Sequence, residues 1–289
     1  MAKVSFSQYS MWSSCPQQYK LNYIDKLGES SGNVHTIFGT GMHETIQHYL
    51  SVMYGVSKKQ ADEINLDKLL LEKMKEAFTK EKNALSEGTP CSQIELEEFF
   101  GDGRRILAWL KKNMQKFYSK SGYELVGIEI PLNAKIKEGV NFIGFIDIVL
   151  RDMAENSIII IDLKTSTMGW NQYQKADKMK NSQILLYKKY YSELFNIPLN
   201  KIKVEYQILR RKLPEDSAFP IPHVSKHIPA HGAPSVTKVY DEFIAFINAV
   251  FDDEGKFRDI EFPKVPGAAK KNCKFCEFGN RGICDKKAS

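Results

Sequence analysis

The chain has 289 residues, 43% hydrophobic and 26% charged, with a formal net charge of +6, which is the profile of a globular protein with room for a sizeable core. The mild basicity permits a nucleic-acid partner without arguing for one. No apolar run approaches the roughly 20 residues that span a bilayer, and the N-terminal MAKVSFSQYS lacks the apolar stretch of a signal peptide; no membrane association and a cytoplasmic setting (host cytoplasm if the chain is viral) are expected. Thiols stay reduced there, so the five cysteines are expected as ligands or free thiols, not disulfides.

Taken in order, residues 5–27 predict a helix opened by Ser5 or Ser7 and rich in aromatics, Phe6, Tyr9, Trp12, Tyr19 and Tyr23. Residues 28–36 (GESSGNVHT) predict a loop, and a second helix starts near Thr40 and runs through GMHETIQHYL. Residues 66–87 and 92–120 carry apolar side chains at helical spacing among many Lys and Glu, the pattern of two amphipathic helices. The character changes at Gly122. YELVGIEIPL, NFIGFIDIVL and SIIIIDLKTS read as three strands. A polar, aromatic loop (MGWNQYQKADKMK) follows, then a helix over 180–195, strands near 202–210 and 219–229, and a helix over about 235–252. The tail is rich in Lys and Cys. This order predicts an α/β fold, a mixed central sheet flanked by helices.

The isoleucine run of residues 158–161 should be a strand buried on both faces, yet it ends in Asp162-Leu163-Lys164. Residues i and i+2 of a strand share a face, so Asp162 and Lys164 project together. Asp147 likewise interrupts the apolar GFIDIVL. A buried carboxylate is costly unless it is paired or holds a metal. Two on neighbouring strands repel, and a divalent cation between them removes the penalty. A plain surface salt bridge at a strand exit is the other reading, and Asp285-Lys286-Lys287 in the tail shows how easily the bare triplet arises.

GFIDIVL followed fifteen residues on by IDLKT resembles the PD-(D/E)XK nuclease superfamily, most closely its RecB-like branch, which includes the RecB and AddB nuclease domains and CRISPR-associated exonucleases. CPQQYKLNYIDKL resembles that branch's N-terminal motif, GTGMHETI its histidine-bearing helix, and QILLY its Q-x-x-x-Y motif. The resemblance runs from residue 5 to the C-terminus except for a helical insertion at about 55–120. It implies a restriction-endonuclease-like fold in one nuclease domain. Residues 1–55 would form N-terminal helices, 56–120 the insertion, 121–231 the catalytic sheet and 232–289 a C-terminal helix with a cysteine region.

The resemblance also implies roles. Asp147, Asp162, the Leu163 carbonyl and His43 would hold one or two Mg²⁺ or Mn²⁺ ions, while Lys164 would orient or activate the attacking water. Gln183 and Tyr187, one helical turn apart, would brace the lysine or the nucleic-acid backbone. From the residues alone, His48 rivals His43 and Glu129 is a third acidic candidate.

Cys273 and Cys276 form a C-x-x-C, Cys284 lies eight residues on, and Cys15 could complete a four-thiolate set from the other end of the chain. These four resemble the iron–sulfur subset of RecB-like nucleases, which hold a structural [4Fe–4S] cluster; zinc would accept the same ligands. Cys91 is left over. Trp170, Tyr173, Lys175 and Lys178 interleave aromatics with cations after the catalytic strand, a pattern suited to single-stranded nucleic acid. Trp170 could equally cap the core; Tyr9, Trp12 and the basic tail (Lys264, Lys270, Lys271, Lys274, Arg281, Lys286, Lys287) are weaker DNA contacts. The expected function is a metal-dependent exonuclease on single-stranded DNA or DNA ends in recombination, repair or replication. A structure-selective endonuclease, a CRISPR spacer-processing nuclease and a non-catalytic DNA-binding subunit are the alternatives. No phosphate-loop motif is present, so a separate helicase or recombination protein would do any unwinding.

Overall fold

The structure is a computed structural model and describes residues 1–29, 32–85, 87–214, 219–267 and 271–284. Its elements are β1 (Ala2–Val4), α1 (Phe6–Ser14), α2 (Pro16–Tyr19), α3 (Val34–Gly55), α4 (Lys58–Glu63), α5 (Leu66–Ala84), α6 (Gln93–Lys112), α7 (Met114–Tyr118), β2 (Tyr123–Lys137), β3 (Val140–Asp152), β4 (Ser157–Ser166), α8 (Gln172–Ala176), α9 (Lys178–Leu194), β5 (Ile202–Arg210), β6 (Val224–His227), α10 (Ala233–Val250), α11 (Lys271–Lys274) and α12 (Glu277–Asn280). A π-helical turn spans Lys20–Ile24 and a 3-10 turn Leu199–Lys201. No helix among the described residues is long and apolar enough to cross a membrane.

The six strands form one mixed sheet in the order β1-β3-β4-β5-β6, with β2 also paired to β3. β1 runs parallel to β3, β3 antiparallel to β4, β4 parallel to β5 and β5 antiparallel to β6. The expected α/β class with a mixed, helix-flanked sheet is what forms.

Several boundaries differ from expectation. The predicted helix over 5–27 breaks at Cys15, which is extended (φ −161°) because Pro16 follows it; the chain then restarts with Pro16 in the first helical position. α3 begins at Val34, not Thr40, because Asn33 caps it, accepting from the backbone N–H groups of His35 (2.9 Å) and Thr36 (3.2 Å). The helix over 92–120 is two helices split at Asn113. The predicted loop after β4 contains α8, opened by a reciprocal cap between Asn171 and Gln174. The strand near 219–229 is only Val224–His227, and β1 is too short to announce itself by periodicity.

The chain divides into two units. One comprises Met1–Glu29, Pro131–Gly144 and Pro234–Ser289; the other Ser30–Ile130 and Phe145–Ala233. β2 and β3 contribute residues to both. In the first unit, Tyr9 meets Phe243 (5.5 Å between ring centroids) and Phe246 (5.7 Å), and Trp12 meets Tyr19 and Phe262 (5.8 Å each). Tyr9 and Trp12 are thus parts of an aromatic core, which accounts for the aromatic helix seen in the sequence.

In the second unit, α3 buries Ile37, Phe38, Met42, Ile46, Tyr49, Leu50 and Met53 against α5, α6 and the strand face bearing Ile148, Ile161 and Leu163. Its period is that of one helical face. A Cβ at Gly103 of α6 would sit 2.6 Å from Leu70 and 3.1 Å from both Met42 and Phe38, so a larger residue there would push these side chains aside. Helices α5 and α6 are therefore packed on the helix that carries His43.

Candidate active site

The ladder between β3 and β4 ends at Ile148↔Ile161. The next residue on each strand is a carboxylate, Asp147 and Asp162. Beyond that point β4 continues beside β5 alone, from Asp162↔Tyr206 to Ser166↔Arg210. A backbone N–H that loses its ladder partner needs another, and Leu163 N–H finds one in Asp147 Oδ2 at 2.7 Å. The fork between two strands is thus closed by a side chain, and that fixes the Asp147 carboxylate in place.

The residues singled out in the sequence converge here. Lys164 Nζ lies 2.8 Å from Asp162 Oδ2. His43 Nδ1, from α3, lies 3.5 Å from Asp147 Oδ2, and its ring lies beside the Leu163 backbone. His48, the rival, is exposed on the same helix. Gln183 Nε2 on α9 donates to the Tyr187 hydroxyl at 3.1 Å, and the Tyr187 hydroxyl feels the charges of Asp162, Lys164 and Asp147.

Burial dominates the electrostatics. It pushes Asp162, only 2% exposed, and Asp147 up to about 6 each. Lys164 lowers both; Asp147 raises Asp162, and Glu129 raises Asp147. Burial also works against the Lys164 charge, but Asp162 and Asp147 outweigh it and hold that ammonium above its ordinary range. His43 is pushed down to about 4, chiefly by burial, so its imidazole is neutral near pH 7 and has a lone pair to offer. Tyr187 is raised to about 12, first by burial, and stays a hydroxyl.

The sequence did not signal Gln47. It sits one turn after His43 on α3, is 6% exposed, and donates both to Glu129 Oε1 (2.6 Å) and to the Asp147 carbonyl (3.2 Å). Glu129 has φ +49°, a left-handed conformation in the middle of β2, whose inside–outside alternation skips at Gly127–Ile128. That skip is the mark of a bulge, which re-aims a side chain. The only sequence-level cue was the i, i+4 spacing of His43 and Gln47.

Other predicted residues lie elsewhere. Trp170 packs on Tyr206 (5.1 Å) and His227 (5.8 Å), with Lys180 over its ring at 5.5 Å. Tyr173 on α8 is 77% exposed, and Lys175 is half-buried beside His227. In the first unit, Cys15, Cys273 and Cys276 are charge neighbours of Cys284, whose thiol is raised first by burial and then by those three. The two chain ends are tied together there. Val265 N–H points at Cys15 Sγ (3.4 Å), Asn272 Nδ2 donates to the Ser14 carbonyl (2.8 Å), and Arg281 binds the Leu27 carbonyl (2.7 Å) and Glu29 (2.7 Å). Cys91 lies apart, against the helical core of the second unit. Lys270, Asp285, Lys286 and Lys287 lie outside the described residues.

Among the described residues no group of three or more His, Cys, Asp or Glu side chains is arranged to hold a metal ion. The donors nonetheless suit a hard cation in kind: two carboxylates that burial keeps partly protonated, a neutral imidazole and the Leu163 backbone.

A mixed sheet flanked by helices, with acidic residues where two central strands part, defines the restriction-endonuclease-like class of fold. The chain belongs to the PD-(D/E)XK nuclease superfamily, whose family model matches residues 3–285. Membership implies metal-dependent nuclease activity, and nucleases of this superfamily generally use Mg²⁺ or Mn²⁺ and act on DNA. No curated protein matches the chain.

Proposed function

We propose that this protein is a metal-dependent exonuclease acting on single-stranded DNA or DNA ends, and that its active site is the strand fork of Asp147 and Asp162. One observation carries this reading. Two buried carboxylates occupy the first step past the β3–β4 ladder, with Lys164 2.8 Å from one and His43 3.5 Å from the other. Asp147, Asp162, the Leu163 carbonyl and neutral His43 would hold the cation. When bound, a divalent ion supplies charge relief at the phosphoryl oxygens and a more acidic water.

The remaining work falls to the chain itself. Lys164, kept charged by its two carboxylate neighbours, orients the attacking water and offsets phosphate charge. Asp162 fixes the position of that ammonium. Gln183 and Tyr187 form a neutral hydrogen-bonded pair on α9 that stands beside Lys164 without competing for its charge. Gln47 and Glu129 hold the back of the site against α3.

Cys15, Cys273, Cys276 and Cys284 would hold a [4Fe–4S] cluster, with zinc as the other occupant suited to four thiolates. Its role is structural, since phosphodiester hydrolysis involves no electron transfer. Tyr173 and Lys175, exposed and half-buried on α8, would touch the DNA; Trp170 supports that helix's approach from the sheet. Any duplex unwinding belongs to a separate helicase. The test is digestion of single- and double-stranded DNA, labelled at either end, and of circular DNA, with Mg²⁺, Mn²⁺ or EDTA. Cleavage of linear but not circular single strands supports the exonuclease, and cleavage of closed circles replaces it with an endonuclease.

A further inference from the structure

Arg210 ends β5 and Arg211 follows it, and the two meet different fates. Arg211 faces the helical insertion. Its Nη1 lies 3.0 Å from Asp102 Oδ2, a carboxylate fully buried in α6, and its guanidinium stacks 3.3 Å from the Phe99 ring centre. Lys212 and Arg105 also pair with Asp102. That cation is paired in charge with Asp102, although its Nε, like that of Arg210, is buried without a hydrogen-bond partner; what sets Arg210 apart is the lack of a carboxylate among the described residues.

Arg210 points to the opposite face. It is in register with Ser166, two residues beyond Lys164↔Ile208 and four beyond Asp162↔Tyr206. Alternate residues of a strand share a face, and in-register neighbours face the same way. Asp162, Lys164 and Arg210 therefore stand on one face, with Arg210 about 6.6 Å further along than Lys164. That step is comparable with the spacing of successive phosphates along an extended nucleic-acid strand.

The guanidinium is held deliberately. It lies against Gly169, where a Cβ would come within 2.4 Å of Nε and 2.8 Å of Nη2. Gly169 has φ +82°, a conformation that also favours glycine, and Ser166 Oγ locks the turn by donating to its carbonyl at 3.1 Å. The Arg210 backbone is fixed in turn by His223, whose carbonyl takes its N–H at 2.7 Å. Among the described residues no carboxylate pairs with Arg210, and its Nε is buried without a hydrogen-bond partner. Burial lowers its pKa, and no acid among the described residues offsets this. A half-buried cation without an anion is costly, and an incoming phosphate removes the cost, bidentate if the fork allows it.

We propose that Arg210 is a phosphate-positioning residue: it binds the DNA backbone phosphate next to the scissile one and sets the register of the strand over Asp162 and Lys164. This rests on the nuclease reading. The test is fluorescence anisotropy of a labelled single-stranded oligonucleotide, with Ca²⁺ replacing Mg²⁺, for wild type, Arg210→Gln and Arg210→Lys across a salt series. Arg210→Gln should bind about tenfold more weakly, the worth of one charged hydrogen-bonding contact. Its slope of log affinity against log salt should be shallower by about 0.7, whereas Arg210→Lys should keep the slope.

Oligonucleotides carrying one uncharged methylphosphonate at each position in turn locate the contact. Wild type should lose affinity at the phosphate neighbouring the mapped cleavage position, and Arg210→Gln should be indifferent at that position alone. Melting curves of both variants identify any folding defect, and Arg210→Lys carries the test if the glutamine variant misfolds. Unchanged affinity and slope in Arg210→Gln, or indifference only at the scissile phosphate itself, would overturn the assignment. Wild type that cleaves normally beside an unaffected Arg210→Gln removes only this proposal, while wild type that neither cuts nor binds removes the nuclease reading as well.

Discussion

The strand fork and the cysteine corner are built by opposite means. At the fork, residues distant in sequence are set by sheet register and by one long helix, and each polar group leans on another: Asp147 on the Leu163 N–H, Lys164 on Asp162, Gln47 on Glu129. The surrounding Ile148, Ile161 and Leu163 are fully buried, so the scaffold is rigid before any ligand arrives. At the corner, four cysteines come from the two chain ends, which a few hydrogen bonds and short helices of four residues hold together. A helix that short has almost no stability of its own. The fork should therefore keep its shape without metal and lose chemistry when mutated, and the corner should lose its shape without metal.

The largest effect is expected at the fork. Asp162→Ala or Lys164→Ala should reduce single-turnover cleavage by at least ~10³-fold, the scale of losing a central electrostatic group, while circular dichroism and DNA binding stay close to wild type. Near-normal cleavage by either would break the comparison from its catalytic side.

The corner comes next. Replacing Cys15, Cys273, Cys276 or Cys284 with serine should remove bound iron, or zinc, and lower the melting temperature, because the ligands join both ends of the chain. Protein purified without oxygen should be brown, with absorption near about 400 nm if a cluster is present, and Cys91→Ser should change neither colour nor stability. Four freely alkylated cysteines in a fully stable, metal-free protein would show that the hydrogen bonds suffice.

A third test uses pH on the metal-free protein. Asp147 and Asp162, raised to about 6, hold protons that the unfolded chain releases near pH 4. Their contribution to stability is fully present below pH 4 and is lost as pH rises through 6. His43, lowered to about 4, acts in the opposite sense over the same window. Two carboxylates outweigh one imidazole by about one proton, so the fork's share of stability should fall by up to about 3 kcal/mol between pH 4 and 6.5. That share is read against the Asp147→Asn/Asp162→Asn double variant, because His227 and His231, also lowered by burial, act in the His43 sense. Urea unfolding at each pH measures it, and Mg²⁺ or Mn²⁺ should abolish the decline. A wild-type profile parallel to that of the double variant would place both carboxylates in ordinary solvent.

The smallest effect separates two histidines. His43→Ala should raise the Mn²⁺ concentration needed for half-maximal cleavage by roughly tenfold, as expected for one ligand or its immediate support, and His48→Ala should leave it unchanged. Identical titrations would remove His43 from the metal site.

How far the sequence could be read depended on how local the signal was. β4 and β5 were legible to the residue, because runs such as SIIIIDLKTS and KIKVEYQILR can only be dry strands. The pairing of Asp162 with Lys164 followed from strand alternation. The start of α3 was misplaced because its cap, Asn33, is hidden in a polar run. α8 was missed although its N-x-x-Q cap stood in the sequence. Gln47 had no cue beyond its i, i+4 spacing from His43, and Arg210 had none: the first depends on the bulge that turns Glu129, the second on the register that sets Ser166 beside Arg210. Both are facts of tertiary geometry that no periodicity reports.

The central claim is that the strand fork, and not the cysteine corner, is where DNA is cut. It is tested most directly by comparing wild type, Asp162→Asn and Cys273→Ser on end-labelled single-stranded DNA with Mg²⁺ or Mn²⁺, each protein first matched for folded fraction by its melting curve. Asp162→Asn should be inactive though folded, and Cys273→Ser should cut at the wild-type rate per folded molecule. Cleavage that survives in Asp162→Asn, or that vanishes in folded Cys273→Ser, would contradict it.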